Sequence, residues 1–178
     1  MPIVTLSVTL ITEHITFVKN HIMLYRRLTT EEFENMPEDF AIFLASNSID
    51  KKEWDAIKKN DIKKADGLLD VFSDLVFEKA LSSCKYLERI SETEIHTYLF
   101  QESQAHMITI KIKEGVTADF IHDKLSEIFI TLLKDKKLEV YQGTKKYVEK
   151  RESEMFEIMQ KGDQFSKGDL YRSLLTLL

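Results

Sequence analysis

The spacing of hydrophobic residues predicts a long central helix from about residue 62 to residue 90. Apolar side chains recur there every three or four positions, which places them along one face of an α-helix. Val71 and Phe77 lie beside this stripe and widen it, so we expect burial on more than one side. The stripe itself consists of Ala65, Leu68, Phe72, Val76, Ala80, Cys84 and Leu87.

Alternating apolar and polar residues predict a β-hairpin in the second half of the chain. Its two strands are Ile95–Phe100 and Ala105–Lys113, joined by a tight polar turn. If Gln101 pairs with Gln104, Leu99 lies opposite His106 and His96 falls on the other face. Two histidines without a third ligand make a weak zinc site, so we expect solvent-facing or core-edge histidines instead.

Capping residues predict where other helices begin. Thr29 with Glu32 has the spacing of a capping box, in which two side chains satisfy free backbone groups at a helix start. Pro37 should break or restart that helix. Further helix starts are expected at Asp50 with Glu53, at Thr117, at Thr144 and at Ser166 with Asp169, and a third strand, 138–142, should stop at Gly143.

Together these elements predict an α+β fold. It has a helical N-terminal half around the central helix, a small and mostly antiparallel sheet, and C-terminal helices that close the core. The chain has 178 residues, of which 43% are hydrophobic, enough for one substantial core. We therefore expect a single domain over residues 23–178.

Residues 1–22 differ in chemistry from the rest. Their only full charges are Glu13 and Lys19, whereas the following residues are densely charged. Alternation over residues 4–10 predicts a strand. We expect an N-terminal extension upstream of a natural start at Met23, and the alternative is an added edge strand of the fold.

Three segments resemble a known family. They are Leu24–Thr29, with the letters LYRRLT, Phe72–Glu78, with FSDLVFE, and Lys167–Arg172, with KGDLYR. The family consists of small bacterial proteins classed as a domain of unknown function, and the resemblance covers residues 23–178. It implies a small bacterial protein that opens at Met23, and it implies no activity, cofactor or catalytic residue.

Composition narrows the class of protein. The net charge of −5 contrasts with the basic balance of a generic nucleic-acid binder. Cys84 is the only cysteine, so an internal disulfide and a multi-cysteine zinc site are excluded. The N-terminus lacks a basic n-region, Glu13 and His14 interrupt any membrane span, and no glycines form a phosphate-binding loop. We expect a cytoplasmic protein without a cofactor or a membrane partner.

An acidic cluster is the first candidate site. Asp70, Asp74 and Glu78 are four residues apart on the predicted central helix, so their carboxylates share a face and repel one another. Three interpretations stay open: a divalent cation binds there, Arg26 and Arg27 neutralise the acids internally, or the face is merely solvated.

A basic segment, residues 134–151, is the second candidate site. Clustered lysines beside Tyr141 and Tyr147 would suit contacts to a phosphate backbone. A solvated helix face with compensating glutamates is the alternative. The cations of this segment are Lys134, Lys136, Lys137, Lys145, Lys146, Lys150 and Arg151.

The functional hypothesis that follows is a non-catalytic interaction or regulatory protein of the bacterial cytoplasm with a protein partner. One alternative is association with RNA or the ribosome through the basic segment. The other is an enzyme of unrecognised type that uses the acidic cluster. The sequence leans against catalysis because no nucleophile, base or metal-ligand spacing stands out.

Overall fold

The structure, a computed structural model, describes residues 22–178 apart from the side chain of Ser126. The strand predicted at residues 4–10 lies outside the described residues. The fold is α+β, as the sequence predicts, with helices followed by an antiparallel sheet. The chain divides into two compact units, with the boundary between Lys79 and Ala80. Whether residues 23–178 form a single domain stays a prediction.

The first unit contains short helices and most of one long helix. Thr29 caps the first of them in a capping box with Glu32, and Pro37 restarts the helix, both as predicted. Asp50 and Glu53 form the second predicted capping box. The helices are α1 (Thr30–Glu34), α2 (Pro37–Ser46), α3 (Lys51–Asn60) and α4 (Ile62–Ser83).

Aromatic side chains fill the core of the first unit. The ring of Phe40 contacts those of Phe33, Phe72 and Trp54 edge-on, at centroid distances of 4.8, 5.1 and 5.2 Å. The ring of Phe43 lies 5.4 Å from that of Phe72. Such aromatic pairs add specific geometry to the burial of apolar area, and they fix the short helices against α4.

The second unit contains the sheet and the remaining helices. All strand pairs are antiparallel and the strand order is β4-β3-β2-β1-β5. The strands are β1 (Tyr86–Ile90), β2 (Glu94–Phe100), β3 (Gln104–Ile112), β4 (Leu138–Lys146) and β5 (Gln164–Ser166). The helices are α5 (Leu125–Lys134), α6 (Arg151–Met159) and α7 (Asp169–Leu177).

The central helix is shorter than its hydrophobic period predicts. It ends at Ser83, and the predicted stripe residue Leu87 lies in β1 instead. β1 pairs with β2 on one side and with β5 on the other. Backbone hydrogen bonds to β2 and β5 therefore favour a strand here over a further two turns of helix. Because both partner strands are distant along the chain, the local hydrophobic period could not predict this.

The predicted hairpin is confirmed in its register, but the third strand is longer than predicted. Leu99 lies opposite His106, as expected. β4 continues past Gly143 to Lys146, and the helix predicted from Thr144 begins only at Arg151. Every residue of β4 has a partner on β3, so pairing with β3 overrides the helical pattern.

The helix predicted from Thr117 is also shorter. It begins at Leu125, because the preceding residues form a turn around Asp119. Asp119 Oδ1 accepts hydrogen bonds from the backbone N–H groups of Ile121 and His122, at 2.7 and 3.0 Å. Phe120 is buried and its N–H donates to Glu92 O at 2.8 Å, which anchors the segment as a loop.

One face of the sheet forms the core of the second unit. Its side chains alternate with those of the opposite face along each strand, and the buried face packs with residues of α5 and α7. This core consists of Ile95, Ile108, Ile110, Ile112, Phe120, Phe129, Leu132, Leu138, Tyr171 and Leu174. Val140 and Gln142 lie on the same face, whereas Tyr141, Gly143 and Lys145 lie on the opposite face.

Candidate functional site

The acidic cluster of α4 holds the segment before α1, residues 24–28, which we call the N-terminal strap. Asp74 is buried, with 5% of its surface exposed. Its Oδ2 accepts the backbone N–H of Leu24 at 2.7 Å, and its Oδ1 accepts that of Tyr25 at 3.0 Å. A carboxylate that receives two backbone donors satisfies groups that burial would otherwise leave unpaired.

Two neighbours of Asp74 extend this attachment. The backbone N–H of Leu28 donates to Ser73 Oγ at 3.1 Å, and that hydroxyl donates to Leu69 O at 2.7 Å. The phenolic hydroxyl of Tyr25 donates to Glu78 Oε2 at 2.6 Å. The strap is therefore bound along α4 by a series of hydrogen bonds.

The two arginines of the strap bind different acids. Arg27 Nε lies 2.7 Å from Asp70 Oδ1, and Arg27 Nη1 lies 2.9 Å from Asp66 Oδ1. Arg26 instead forms two hydrogen bonds of 2.7 Å to the carboxylate of Glu32 and lies over the ring of Phe77. Of these two arginines, Arg27 contacts the predicted acidic cluster through Asp70.

The Arg26–Glu32 ion pair changes the pKa of both side chains. The hydrogen bond from Arg26, assisted by the capping bonds of Thr29, holds the pKa of Glu32 at about 2, well below its usual value. The same hydrogen bond raises the pKa of Arg26.

Among the residues that the structure describes, no group of three or more histidine, cysteine, aspartate or glutamate side chains is arranged to hold a metal ion.

The cations of the basic segment are dispersed over several elements. Lys134 ends α5, Lys136 and Lys137 lie in the following turn, Lys145 and Lys146 end β4, and Lys150 precedes α6. Arg151 is half-buried: its guanidinium donates to the carbonyl oxygens of Leu81 and Cys84 and lies 6.0 Å from the centroid of the Phe100 ring. Arg151 therefore links the start of α6 to the end of α4 and to the segment that follows it.

Two further residues of the basic segment have partners within the protein. Lys145 Nζ lies 2.9 Å from Glu154 Oε2. Burial alone would raise the pKa of Glu154, but Lys145 and the N–H groups of Val148 and Glu149 lower it on balance. The hydroxyl of Tyr147 donates to the carbonyls of Gln101 and Gln104, so this ring is anchored to the hairpin turn.

A third polar cluster, formed by Arg89, His96 and Asp163, was not predicted from the sequence. Asp163 follows α6 and is buried, with 3% of its surface exposed. Within residues 22–178 neither its Oδ1 nor Arg89 Nε has a hydrogen-bond partner. Arg89 Nε lies 3.7 Å from Asp163 Oδ2. Burial raises the pKa of Asp163, while Arg89 and His96 oppose the rise. Burial likewise raises the pKa of Tyr98, and the charge of Asp163 adds to it.

No local signal could have revealed that cluster. Arg89 and His96 lie on adjacent strands, directly opposite each other. Asp163 joins them only because the chain returns through β5 to pair with β1. Residues separated by such distances along the chain come together through sheet topology alone.

Strand β4 lies at one edge of the sheet and is largely exposed. Every residue from Val140 to Lys146 is exposed, including Val140 at 39% and Tyr141 at 52%. No strand within residues 22–178 pairs with this outer edge. We call it the open edge of β4.

A family model matches residues 23–178, and its description is "Family of unknown function (DUF6495)". The chain belongs to this family. The match supports the resemblance seen in the strap, in the middle of α4 and at the start of α7. No curated protein and no solved structure matches the chain.

The DUF6495 match covers both candidate sites and the open edge of β4. It assigns no activity to them. Within the described residues, no helix is both long enough and apolar enough to cross a membrane.

Proposed function

We propose that this DUF6495 protein is a non-catalytic interaction module that binds a protein partner through the open edge of β4. The strand itself carries the proposal, because it is nine residues long, fully in register with β3 and exposed from Val140 onward. A free sheet edge presents unpaired N–H and C=O groups to which a partner strand can add. Affinity then comes from the backbone, and specificity from the side chains beside it.

The two edges of the sheet differ, which supports β4 as the binding edge. The opposite edge strand, β5, has only three residues, and a very short edge strand is one way in which proteins avoid unwanted pairing. β4 contains neither proline nor a residue with positive φ. Its nine consecutive pairs with β3 also exclude a bulge within the strand.

We further propose that the protein is bacterial and works in the cytoplasm. Cys84 is a free thiol, which a reducing compartment would keep reduced. The acidic cluster supports a non-catalytic role, because Asp74, Asp70 and Glu78 hold the strap. RNA or ribosome association is the second candidate, but the internal bonds of Arg151, Tyr147 and Lys145 favour a protein partner.

Site-specific photo-crosslinking in cells tests the proposal. A benzophenone amino acid replaces Tyr141 on the open edge, and a matched control carries it at Ile42, which is 66% exposed on α2. We expect a nuclease-resistant protein adduct at position 141 and none at position 42. Mass spectrometry should place the crosslink in an extended segment of the partner.

Two results would count against this function. Equal adducts at both positions would show that exposure alone causes capture. A product at position 141 that nuclease shortens would favour the RNA alternative.

A further inference from the structure

We infer that the strand that pairs with the open edge of β4 is β4 of a second copy of this chain, in antiparallel register with Gln142 opposite Gln142. This inference rests on the proposed function and names its partner. Two sheets would then join into one continuous sheet about a two-fold axis through Gln142. Such isologous pairing is the commonest way in which identical chains associate.

The residues of β4 are complementary to themselves in this register. Gln142 is the middle of the strand, so all nine residues overlap when two copies run in opposite directions. Glu139 then lies opposite Lys145 of the copy, on the same side of the sheet, twice by symmetry. Opposite charges that face each other across strands stabilise the pair. A shift that moves the centre to Tyr141 would place Lys145 opposite Lys137, which is unfavourable.

Gly143 provides a second and independent observation. A glycine inside a strand weakens it, and it often marks a bulge, a tight bend or a place where a ligand or another backbone approaches closely. Within residues 22–178 nothing requires this glycine, because its φ is not positive and an added Cβ would make only an ordinary contact, 3.8 Å from Met107 Cε. In the inferred register Tyr141 of the copy lies directly opposite Gly143, so the large ring covers the glycine.

The Val140–Thr144 pair also fits this register. Val140 lies opposite Thr144, and pairs of β-branched residues are favourable across strands. Tyr141 is 52% exposed in one copy, so pairing would cover an aromatic ring that is otherwise in solvent. Lys145 already lies beside Glu154, and its ammonium has further donors with which to reach Glu139 of the copy.

Cysteine crosslinking measures the register directly. In a Cys84→Ser background, single cysteines replace Glu139, Gln142 or Thr144. Residues directly opposite in an antiparallel pair are close enough for a disulfide. We expect a covalent dimer from Gln142→Cys alone, and none from Glu139→Cys or Thr144→Cys alone. A mixture of the Glu139→Cys and Lys145→Cys proteins should form a crosslinked heterodimer.

Sedimentation equilibrium supplies the energetic test. Gly143→Val should raise the dimer dissociation constant about tenfold or more, because the new side chain occupies the place of Tyr141 of the copy. Within one copy valine favours a strand, so the melting temperature, measured at a protein concentration at which the wild type is monomeric, should be unchanged or higher. Glu139→Lys should also weaken the dimer, and Glu139→Lys with Lys145→Glu should restore it.

The outcomes separate the two proposals. A protein that stays monomeric up to roughly 1 mM, or a crosslink pattern centred on another residue, overturns the inferred dimer. If the photo-crosslink at position 141 nevertheless captures a different protein, the open edge remains an interaction surface with another partner. If position 141 captures nothing and the protein is monomeric, both proposals fail.

Discussion

Asp74 shows at the scale of a single residue how a buried charge can serve structure. It lies mid-helix with 5% of its surface exposed and accepts the N–H groups of two successive strap residues. Burial of a carboxylate is unfavourable unless hydrogen bonds compensate it. Here the compensation also satisfies backbone groups of a segment that lacks regular secondary structure.

Asp74→Asn should therefore destabilise the protein by roughly 1–3 kcal/mol. The amide keeps one acceptor oxygen but points an NH₂ group at one of the two backbone donors. Asp66→Asn is the matched control, because the Asp66 side chain is 50% exposed and binds Arg27 at the surface. Its loss should stay below about 1 kcal/mol. Urea unfolding measures both, and equal losses would contradict the role given to Asp74.

The Arg26–Glu32 pair predicts a pH dependence. The pKa of Glu32 is about 2 in the folded protein, below its usual value of 4.5, chiefly because of the hydrogen bond from Arg26. A carboxyl group whose pKa is lowered by folding stabilises the folded state above its unfolded pKa. That contribution is lost as the pH falls through the folded pKa.

Arg26→Met should consequently destabilise the protein at pH 5 to 7, and the difference from the wild type should shrink between about pH 4.5 and pH 2. Both side chains are more than a third exposed, so the difference should not exceed about 1 kcal/mol. Urea unfolding across this range provides the measurement. In a Glu32→Gln background the effect of Arg26→Met should no longer depend on pH, and a persistent dependence would implicate another group.

At the scale of elements, α7 depends on a glycine. Gly168 has φ +79° at the start of that helix, and an added Cβ would lie 2.5 Å from the ring of Tyr86. Ser166 Oγ accepts the N–H of Gly168 at 2.9 Å and donates to Glu88, which ties the turn to β1. The closeness of backbone and ring explains the residue type better than the turn alone.

Two alanine substitutions separate the effect of positive φ from the effect of the contact with Tyr86. Gly115 has φ +80°, but an added Cβ there would meet nothing within 4 Å. Gly115→Ala should lose only the penalty for a left-handed alanine, about 1–2 kcal/mol. Gly168→Ala should lose more, by roughly a further 1–3 kcal/mol, because Tyr86 must move. Thermal melting of both variants checks the order, and equal shifts would show that the ring yields freely.

At the scale of the whole molecule, residues 23–178 form the part shared with the family. The groups that hold the strap, Ser73 and Asp74 among them, lie within this part, as do all capping boxes described above. We therefore expect deletion of residues 1–22 to change the free energy of unfolding by less than about 1 kcal/mol.

A longer deletion is the control for that experiment. Removal of residues 1–28 also removes the strap and its hydrogen bonds to Asp74 and Ser73, so it should clearly lower the melting temperature. A loss above about 2 kcal/mol in the shorter deletion would show that residues 1–22 belong to the fold.

Features that depend on neighbours a few residues apart could be predicted from the amino-acid sequence. Capping boxes at Thr29 and Asp50 and the restart at Pro37 involve groups within one helical turn, so their spacing is sufficient. The hairpin register follows from its short turn in the same way. Together with the apolar stripe of α4, these local patterns predicted the α+β class.

Features that depend on distant strands could not be predicted from the sequence and became visible with the fold. β1 replaces the predicted end of the central helix because β2 and β5 pair with it, and β4 passes Gly143 because β3 pairs with every one of its residues. The same pairing assembles Arg89, His96 and Asp163 and leaves β4 at an open edge. The physical reason is that hydrogen bonds between strands are non-local, so their partners appear in no sequence window.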